Sequence, residues 1–463
     1  MSIFVILSHL ILVIGCLVAV SMITRVNREQ RSPAGVIAWL LAMVLVPYVG
    51  VPLYLILGGR KMREMTGEKP DLVMETNLER LPEDVTVADR LFRSHGLPGV
   101  TEGNRVVLCG TDVEIYQGLM DVLDRARKSI YITTYILGMD EVGQEVVDRL
   151  VAKAKEGVQV RLLMDYVGSY KVSRAMLRPL LDAGGKVAFF MPVLPVPIRR
   201  RANLRNHRKL LVADLKWVLA GGANLADNYM GAAPDGERWR DLCFILKGPA
   251  ALDFARVFAQ DWKFASGEEL DLTPVEDEAG KKDMGGAVVQ VIPSGPDVKA
   301  DYLYDAILMS IFAARERLWI VTPYFVPDET LAKALQIAAD RGVDVMVVVP
   351  RKSNYRLVDL ARNQPLRSIE ARGGRVHFYH GGMLHAKVML MDDRLAVIGS
   401  ANMDMRSLKL NYEVVLASYS RPEIQAVETW VKNLNADPRP HPEAVSSIRD
   451  FGEGLVKMLI PLL

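Results

Sequence analysis

The sequence is poor in cysteine, with only three in 463 residues. Cys16, Cys109 and Cys243 are too few and too widely spaced for a disulfide framework or a cysteine-based zinc site. We therefore expect them to be small buried apolar residues, and we predict neither a bound metal nor a cofactor.

An excess of charge of one sign is also missing. Lysine and arginine number 57 against 55 aspartates and glutamates, which leaves a formal net charge of +2. A balance this close to neutral provides no electrostatic footprint for nucleic acid, so we expect no nucleic-acid partner. The sequence also lacks a GxxxxGK[ST] run, the loop that holds nucleotide phosphates in P-loop proteins.

Long apolar runs are present at the amino-terminal end. Residues 3–23 form a run with few interruptions, and at ~1.5 Å per residue a helix of that length can cross a bilayer. Residues 35–58 form a second run that contains Pro47 and Pro52, which fits a kinked second span or a re-entrant segment. No basic segment precedes the first run, which disfavours a cleaved signal peptide. The pattern predicts a membrane anchor over residues 1–63, folded as a transmembrane hairpin.

A motif occurs twice in the chain. Residues 207–214 read HRKLLVAD and residues 385–392 read HAKVMLMD, and each histidine stands 14 residues before a glycine and 17 before an asparagine, Asn224 or Asn402. Histidine and lysine at i and i+2 before an apolar run are typical of a strand that presents both groups on one face. One such run is often a chance match. Two copies with equal downstream spacing indicate a duplication that supplies a pair of catalytic groups.

Secondary-structure signals repeat on the same scale. Residues 129–135 and 158–164 have the composition of strands, and residues 144–155 between them have the periodicity of an amphipathic helix. The same order of strand, helix and strand recurs over residues 318–349. It predicts two α/β halves with largely parallel sheets. We place the halves at residues 105–266 and 287–463, with polar linkers at 64–104 and 267–286.

The paired motifs resemble those of the phospholipase D superfamily, whose two HxKx4D copies build one active site between two pseudosymmetric halves. Within it, four further runs make the chain similar to bacterial cardiolipin synthases: 206–209 (NHRK), 239–241 (WRD), 294–297 (SGPD) and 402–407 (NMDMRS). The resemblance covers nearly everything from about residue 105 onward. It implies one shared active site whose catalytic residues are His207, Lys209, Asp214, His385, Lys387 and Asp392.

The chemistry of a phosphodiester explains why these residue types suit the site. The anion repels nucleophiles, so attack requires cationic groups and hydrogen-bond donors on its oxygens. One histidine must be neutral to attack phosphorus, and the other must be protonated to release the leaving alcohol; imidazole suits both, with a pKa near ~6.5. The resemblance makes His207 the nucleophile and His385 the acid and base, since the copies are otherwise near equivalents. Lys209 and Lys387 supply the charge, and Asn224, Ser400 and Asn402 can supply the donors.

Each histidine also needs a partner that orients its ring. Asp241 and Glu413 lie at comparable places downstream of the two motifs, and the resemblance implies that they have this role. Ordinary salt bridges are the alternative for both. For Asp214 and Asp392, bracing the turn after the motif strand is an alternative to a direct part in the chemistry.

An apolar, proline-rich stretch precedes the first motif. Residues 191–198 read MPVLPVPI and are followed by Arg199, Arg200, Arg201 and Arg205. An apolar loop beside an arginine cluster suits a membrane surface with anionic headgroups, and a buried connection with a solvated basic rim is the alternative.

The resemblance implies a phosphatidyltransferase. The DGxxAR run of metal-dependent CDP-alcohol phosphatidyltransferases is absent, which favours a metal-independent covalent route. We expect the substrates to be anionic phospholipids, two molecules of phosphatidylglycerol that yield cardiolipin and glycerol through a phosphohistidine. A membrane-bound phospholipase D hydrolase and an anchored nuclease are the alternatives. The expected location is the bacterial inner membrane, with a multi-pass anchor and, by the resemblance, a cytoplasmic catalytic part. The basic residues that flank the apolar runs are balanced and favour neither orientation, and no pattern in the sequence indicates an oligomeric state.

Overall fold

The structure, a computed structural model, describes residues 98–192, 204–273, 285–298 and 301–439, together with a few positions nearer the two ends of the chain. Most of the predicted anchor, of the 64–104 and 267–286 linkers and of the apolar stretch at 191–198 lies outside the described residues. Within the described part, no helix combines the length and the apolar character that crossing a bilayer requires.

The first half alternates strands and helices before it ends in a run of hairpin strands. Its elements are β1 (Thr101–Cys109), α1 (Asp112–Arg125), β2 (Ser129–Thr134), α2 (Glu141–Lys155), β3 (Gln159–Asp165), α3 (Arg174–Asp182), β4 (Lys186–Phe190), β5 (Leu210–Ala213), β6 (Trp217–Gly221), β7 (Cys243–Lys247) and α4 (Ala250–Ser266).

The second half repeats this order with small additions. Its elements are β8 (Ala287–Ser294), α5 (Tyr302–Ala313), β9 (Arg317–Val321), β10 (Phe325–Val326), α6 (Glu329–Asp340), β11 (Asp344–Pro350), α7 (Arg356–Ala361), α8 (Asn363–Glu370), β12 (Arg375–Tyr379), β13 (Val388–Met391), β14 (Leu395–Gly399), β15 (Met403–Asp404), α9 (Met405–Lys409), β16 (Glu413–Ser418), α10 (Arg421–Lys432) and β17 (Ala436–Pro438).

Of the strands that the structure describes, β10 and β15 pair with each other in a separate sheet. All the others join one sheet of 15 strands, in the order β17-β12-β11-β9-β13-β14-β16-β8-β1-β7-β6-β5-β2-β3-β4. The two halves meet where β1 and β8 pair in antiparallel fashion. Outward from that pair, the first half runs β1-β7-β6-β5-β2-β3-β4 and the second runs β8-β16-β14-β13-β9-β11-β12. These seven strands of one half therefore correspond in position to seven of the other, as a duplication predicts, and β17 is an addition at the edge of the second half.

The sheet of each half is mixed. β2, β3 and β4 are parallel, as are β9, β11 and β12. The strands that follow the two motifs are antiparallel. The prediction of two α/β halves is confirmed, but the prediction of largely parallel sheets is wrong. Short turns join β5 to β6 and β13 to β14, and so short a connection permits only antiparallel pairing.

Helices cover both faces of the sheet. On one face, α1 and α2 pack over the first half and α5 and α6 pack over the second, each pair with its own apolar core. On the other face, α4 and α10 share one core with strands of both halves, to which they contribute Phe258, Trp262 and Val427. Because β2 and β3 are covered on both faces, they consist almost entirely of buried residues. The shared core holds the two halves in a fixed relation.

Candidate active site

Each motif lies at the carboxyl edge of the parallel strands in its own half. β5 runs antiparallel to β2, and His207 shortly precedes β5, so this histidine lies beyond the last residue of β2. His385 has the same relation to β13 and β9. In α/β folds, ligand sites form at this edge because the loops that follow parallel strands converge there.

Backbone hydrogen bonds join the two carboxyl edges. The N–H of His207 donates to the carbonyl oxygen of Tyr412 over 2.9 Å, and the N–H of His385 donates to that of Arg240 over 2.7 Å. Each motif also forms a parallel bridge with a segment of the other half, Asn206 with Tyr412 and Leu384 with Arg240. The two motifs are therefore held at one boundary between the halves.

Each motif histidine is paired with a carboxylate of the opposite half. Nδ1 of His207 lies 2.9 Å from Oε1 of Glu413, and Nδ1 of His385 lies 2.7 Å from Oδ2 of Asp241. Both carboxylates are fully buried. A carboxylate only accepts hydrogen bonds, so Nδ1 of each histidine carries a proton. Nε2 of the same ring has a free lone pair when the histidine is neutral and a second proton when it is charged. The exchange of partners makes a single site from two half-sites.

The motif lysines return to the backbone of their own histidines. Nζ of Lys209 donates to the carbonyl oxygen of His207 over 2.6 Å. Nζ of Lys387 donates to the carbonyl oxygen of His385 and lies 2.8 Å from its Nδ1 and 3.1 Å from its Nε2. Burial lowers the pKa of Lys209 to about 7 and that of Lys387 to about 8, against the opposing attraction of Glu413 and Asp241. Two cationic groups of depressed pKa beside the imidazoles suit a site that receives an anion.

Burial also acts on the two histidines. It lowers the pKa of His207, while the charge of Glu413 opposes the shift. The pKa of His385 falls to about 3, because burial and the neighbouring Lys387 both disfavour the imidazolium. An anionic phosphodiester placed between the rings would favour protonation of either one.

The aspartates that end the two motifs lie away from the histidines. Asp214 and Asp392 directly follow β5 and β13, whereas the motif histidines precede those strands. At ~3.3 Å per residue of extended chain, each aspartate is therefore roughly 20 Å from the histidine of its own motif. Asp214 accepts hydrogen bonds from the N–H groups of residues 127, 128 and 129, and Asp392 from those of 315, 316 and 317. Both have positive φ, 53° and 48°. The structure therefore places them as braces between the motif hairpin and the start of the neighbouring strand.

The predicted hydrogen-bond donors all bond to other side chains of the protein. Ser400 donates through Oγ to Oε2 of Glu413 over 2.5 Å, so it acts on the carboxylate that orients His207. Nδ2 of Asn224 donates to the hydroxyl of Tyr229 over 2.8 Å, and Nδ2 of Asn402 donates to Ser407 over 3.1 Å. Each of these two bonds lies within its own half, and the two occupy equivalent positions in the duplicated fold.

The two half-sites differ at the position of Ser400. The first half has Gly222 there, and a Cβ added to it would lie 2.1 Å from Oδ1 of Asp241. A serine would therefore clash with the carboxylate that orients His385. Consequently, Glu413 accepts a hydrogen bond from the Ser400 hydroxyl, whereas Asp241 receives no such bond from Gly222.

Aromatic rings that the sequence analysis did not single out as site residues pack against both histidines. The ring of Tyr135 is edge-on to His207 with centroids 5.2 Å apart. Tyr229 and Trp239 flank His385 at 5.1 and 5.5 Å. The position of Tyr135, directly after the carboxyl end of β2, was the only signal in the sequence for its role.

A buried ion pair lies behind His207. The guanidinium of Arg208 is fully buried and contacts both carboxylate oxygens of Asp261, in α4, at 2.7 and 2.8 Å. Asp261 also accepts from Nδ2 of Asn206 over 2.9 Å. Nε of Arg208 donates across the boundary to the backbone carbonyl of Glu413 over 3.1 Å. The residues on both sides of His207 are thus fixed by one carboxylate.

Arg208 also reaches the segment that precedes α5. It donates to the carbonyl of Ser294 over 3.2 Å and lies 3.6 Å from Asp297. This is the structural role of the SGPD run. Among the described residues, no group of three or more His, Cys, Asp or Glu side chains is arranged to hold a metal ion.

The fold and the site define a class of protein. Two duplicated α/β halves that exchange histidine and carboxylate partners across their boundary have the arrangement expected of phospholipase D-like enzymes. A family described as cardiolipin synthase, PLD-like domain, matches residues 119–262 and 307–435, and one described as phospholipase D-nuclease N-terminal matches residues 11–59. The chain belongs to the family of cardiolipin synthases with PLD-like domains.

Individual relatives agree with this membership. The chain is 32% identical over 454 residues to cardiolipin synthase 2 of Bacillus anthracis, covering 94% of this chain and 88% of that one. It is 30% identical over 466 residues to a cardiolipin synthase of Clostridium perfringens, covering 94% and 95%. Among solved structures, phosphatidylserine synthase from Haemophilus influenzae has a TM-score of 0.58 at 18% identity, over 76% of this chain and 95% of that one, which shows a shared fold.

Proposed function

We propose that the protein is a phosphatidyltransferase that makes cardiolipin from two molecules of phosphatidylglycerol and releases glycerol. The observation that carries the proposal is the pair of histidines, each oriented by a carboxylate of the opposite half. Membership of the cardiolipin synthase family supports the choice of substrate.

The first step transfers a phosphatidyl group to the enzyme. Nε2 of His207 attacks the phosphorus of one phosphatidylglycerol, and a bond from nitrogen to phosphorus forms while the bond to the glycerol oxygen breaks. His385 gives its Nε2 proton to that oxygen, so that neutral glycerol leaves. Lys209 and Lys387 stabilise the charge on the non-bridging oxygens.

The second step returns the histidine to its starting state. The terminal hydroxyl of a second phosphatidylglycerol loses its proton to Nε2 of His385, and its oxygen attacks the phosphorus. The bond to His207 breaks, and cardiolipin is released. Buried surroundings around both histidines exclude water and thereby favour transfer over hydrolysis.

Differences between the half-sites support the assignment of His207 as nucleophile. Its side chain is 13% exposed, against 5% for His385, so it is the more accessible of the two. Its partner Glu413 accepts an additional hydrogen bond from Ser400, which fixes the carboxylate. A fixed carboxylate stabilises the positive charge that the ring acquires as it bonds to phosphorus.

Residues 1–63 would anchor the protein in the bacterial inner membrane as a hairpin of two apolar segments. The match of residues 11–59 to an amino-terminal domain of phospholipase D-like proteins supports a separate unit there. Anionic phospholipids are then available to the catalytic halves, which we place on the cytoplasmic side.

The test is incubation of the purified full chain in mixed micelles with labelled phosphatidylglycerol and a chelator in place of added metal. We expect cardiolipin and glycerol in equal amounts from the parent, and neither from His207→Ala or His385→Ala. His380→Ala is the matched control, because His380 contacts Asp437 at the surface and lies outside the site. Phosphatidic acid as the only lipid product would identify a hydrolase, and no lipid turnover with cleavage of DNA would identify a nuclease.

A further inference from the structure

Exposed apolar side chains are concentrated in two short segments of the chain. Between residues 98 and 439, ten large hydrophobic side chains that the structure describes are exposed, and six of them lie in only two segments. The six are Tyr166, Val167 and Tyr170, in residues 166–174, and Tyr355, Leu357 and Leu360, in residues 351–360. We call these two segments together the rim surface.

The two segments occupy equivalent places in the duplicated fold. Residues 166–174 follow β3, and residues 351–360 follow β11, its counterpart in the second half. Each segment therefore lies at the carboxyl edge of its own half, where the motif histidine also lies. Because the two carboxyl edges meet at the site, both segments border it.

Direct contacts connect the rim surface to the site. Ser169 donates through its hydroxyl to the carbonyl oxygen of Tyr135 over 3.0 Å, and the Tyr135 ring packs on His207. In the second half, the Tyr324 hydroxyl contacts Oδ1 of Asn354 at 2.6 Å, and its ring lies 5.7 Å from that of Tyr355. In the first half, the rim surface is thus one hydrogen bond away from the ring that packs on His207.

The charges of the rim surface are almost all positive. Residues 166–174 contain Lys171 and Arg174 and no acidic residue. Residues 351–360 contain three basic residues and one acidic residue, Asp359, which accepts from the N–H of Ser353 and pairs with Arg362 at 2.9 Å. Lys171, Arg174, Arg351, Lys352 and Arg356 are exposed.

We propose that the rim surface docks onto a bilayer of anionic phospholipid, with the mouth of the active site facing the headgroups. Tyrosine and leucine side chains would enter the interfacial region, where amphipathic rings are stabilised, and the basic residues would contact lipid phosphates. The docking site is additional to the predicted anchor in residues 1–63. It rests on the proposed function only in that the substrate is a membrane lipid.

The experiment measures the depth of single labelled positions in the full chain, reconstituted in vesicles of phosphatidylglycerol and phosphatidylcholine. Cys16 is replaced by serine, and a cysteine at Tyr170 or Tyr355 carries an environment-sensitive fluorophore. Phe312→Cys is the matched control, because Phe312 is 50% exposed but precedes the amino end of β9. Brominated acyl chains should quench the labels at 170 and 355 at least threefold more than the label at 312.

Two outcomes of the quenching experiment would overturn the proposal. The first is equal quenching at all three positions. The second is a change of the 170 and 355 signals that follows protein concentration at constant lipid, which would identify a second copy of this chain as the occupant. Replacing phosphatidylglycerol by uncharged lipid should reduce the quenching at 170 and 355, and unchanged quenching would contradict the role of the basic residues.

An activity measurement separates this proposal from the proposed function. For the variant Tyr170→Ser/Leu360→Ser, the fold-decrease in rate relative to the parent should be at least tenfold larger on phosphatidylglycerol in vesicles than on a monomeric short-chain phosphatidylglycerol. Equal losses on both substrates would contradict docking. If the parent makes no cardiolipin from either lipid, the proposed function fails, while the quenching result still decides whether the rim surface docks.

Discussion

At the scale of single residues, the site consists of two similar units in unequal surroundings. His207 is oriented by Glu413, which also accepts the Ser400 hydroxyl, whereas His385 is oriented by Asp241 and enclosed by Tyr229 and Trp239. A duplicated motif begins with two equivalent histidines. Different surroundings allow one to act as nucleophile and the other as acid and base, because each role requires a different protonation state.

Ser400→Ala removes the hydroxyl that fixes Glu413. We expect kcat to fall by about tenfold, the lower end of the effect of losing a group that orients a functional ligand, with little change in thermal stability. Steady-state kinetics and thermal unfolding check this. Ser310→Ala is the control, because Ser310 is an equally buried serine whose hydroxyl donates only to its own helix. Equal activity of both variants would show that the Ser400 hydroxyl has no part in orienting His207.

The motif lysines predict an alkaline limb in the pH profile. Burial lowers the pKa of Lys209 to about 7 and that of Lys387 to about 8, so their ammonium charges are present below these values and are lost as pH rises. We expect kcat/KM, which reports the free enzyme, to fall above about pH 7, first through Lys209 and then through Lys387. Lys209→Arg should move the start of the limb up to about pH 8, where Lys387 loses its charge, because arginine keeps its own. A flat profile from pH 7 to pH 10 would contradict a role for these charges.

At the scale of elements, the motif strands could be predicted more completely than their partners. The predicted strands at 129–135 and 158–164 correspond to β2 and β3, since strands covered on both faces are continuous apolar runs. The antiparallel hairpin of β13 and β14 is indicated by the turn residues 392–394 between two apolar runs, whereas apolar runs alone carry no information on the direction of the other strands. Residues 207–209 and 385–387 precede the strands instead of lying within them.

Asp392→Ala should destabilise the hairpin and leave the chemistry intact. Three backbone N–H groups would lose their acceptor, and the alanine at position 392 would have to keep a positive φ that is less favourable for it than for aspartate. Together these effects should lower the free energy of unfolding by about 2–4 kcal/mol. Chemical denaturation should show this loss, while the specific activity of the folded fraction stays within about threefold. Asp393→Ala removes the ion pairs of an exposed carboxylate with Arg317 and Arg421 and should cost about 0–1 kcal/mol. A stable but inactive Asp392→Ala would place Asp392 in the reaction.

At the scale of the whole molecule, the two halves are joined by their shared core and by groups that cross the boundary at the site. The sequence places Asp241 and Glu413 at comparable positions downstream of the motifs, and the resemblance implies their role, but neither indicates that each histidine pairs with the carboxylate of the opposite half. No pattern in the sequence indicated a role for Asp261. It lies in a helix 53 residues after its partner Arg208, outside either motif. Contacts of this kind depend on the packing of α4 against both halves.

The Arg208–Asp261 pair should affect stability and activity separately. Asp261→Ala leaves the buried guanidinium of Arg208 with Asp297, 3.6 Å away, as its remaining carboxylate partner and is expected to cost about 3 kcal/mol. Arg208→Met/Asp261→Leu removes both charges and should recover most of that stability, yet kcat should stay at least about tenfold below the parent, because the bond from Arg208 to the Glu413 carbonyl is absent. Denaturation and kinetics on the same samples check this. Parental activity in the double variant would show that the pair has no part in positioning His207.

The central claim is that His207 carries the phosphatidyl group while His385 moves the proton. The most direct measurement uses His385→Ala with phosphatidyl p-nitrophenol, whose leaving group needs no acid. We expect a burst of p-nitrophenolate stoichiometric with enzyme and a phosphatidyl adduct on the peptide that contains His207, because no base remains to activate the acceptor. A burst from His207→Ala, with the adduct on His385, would contradict the account.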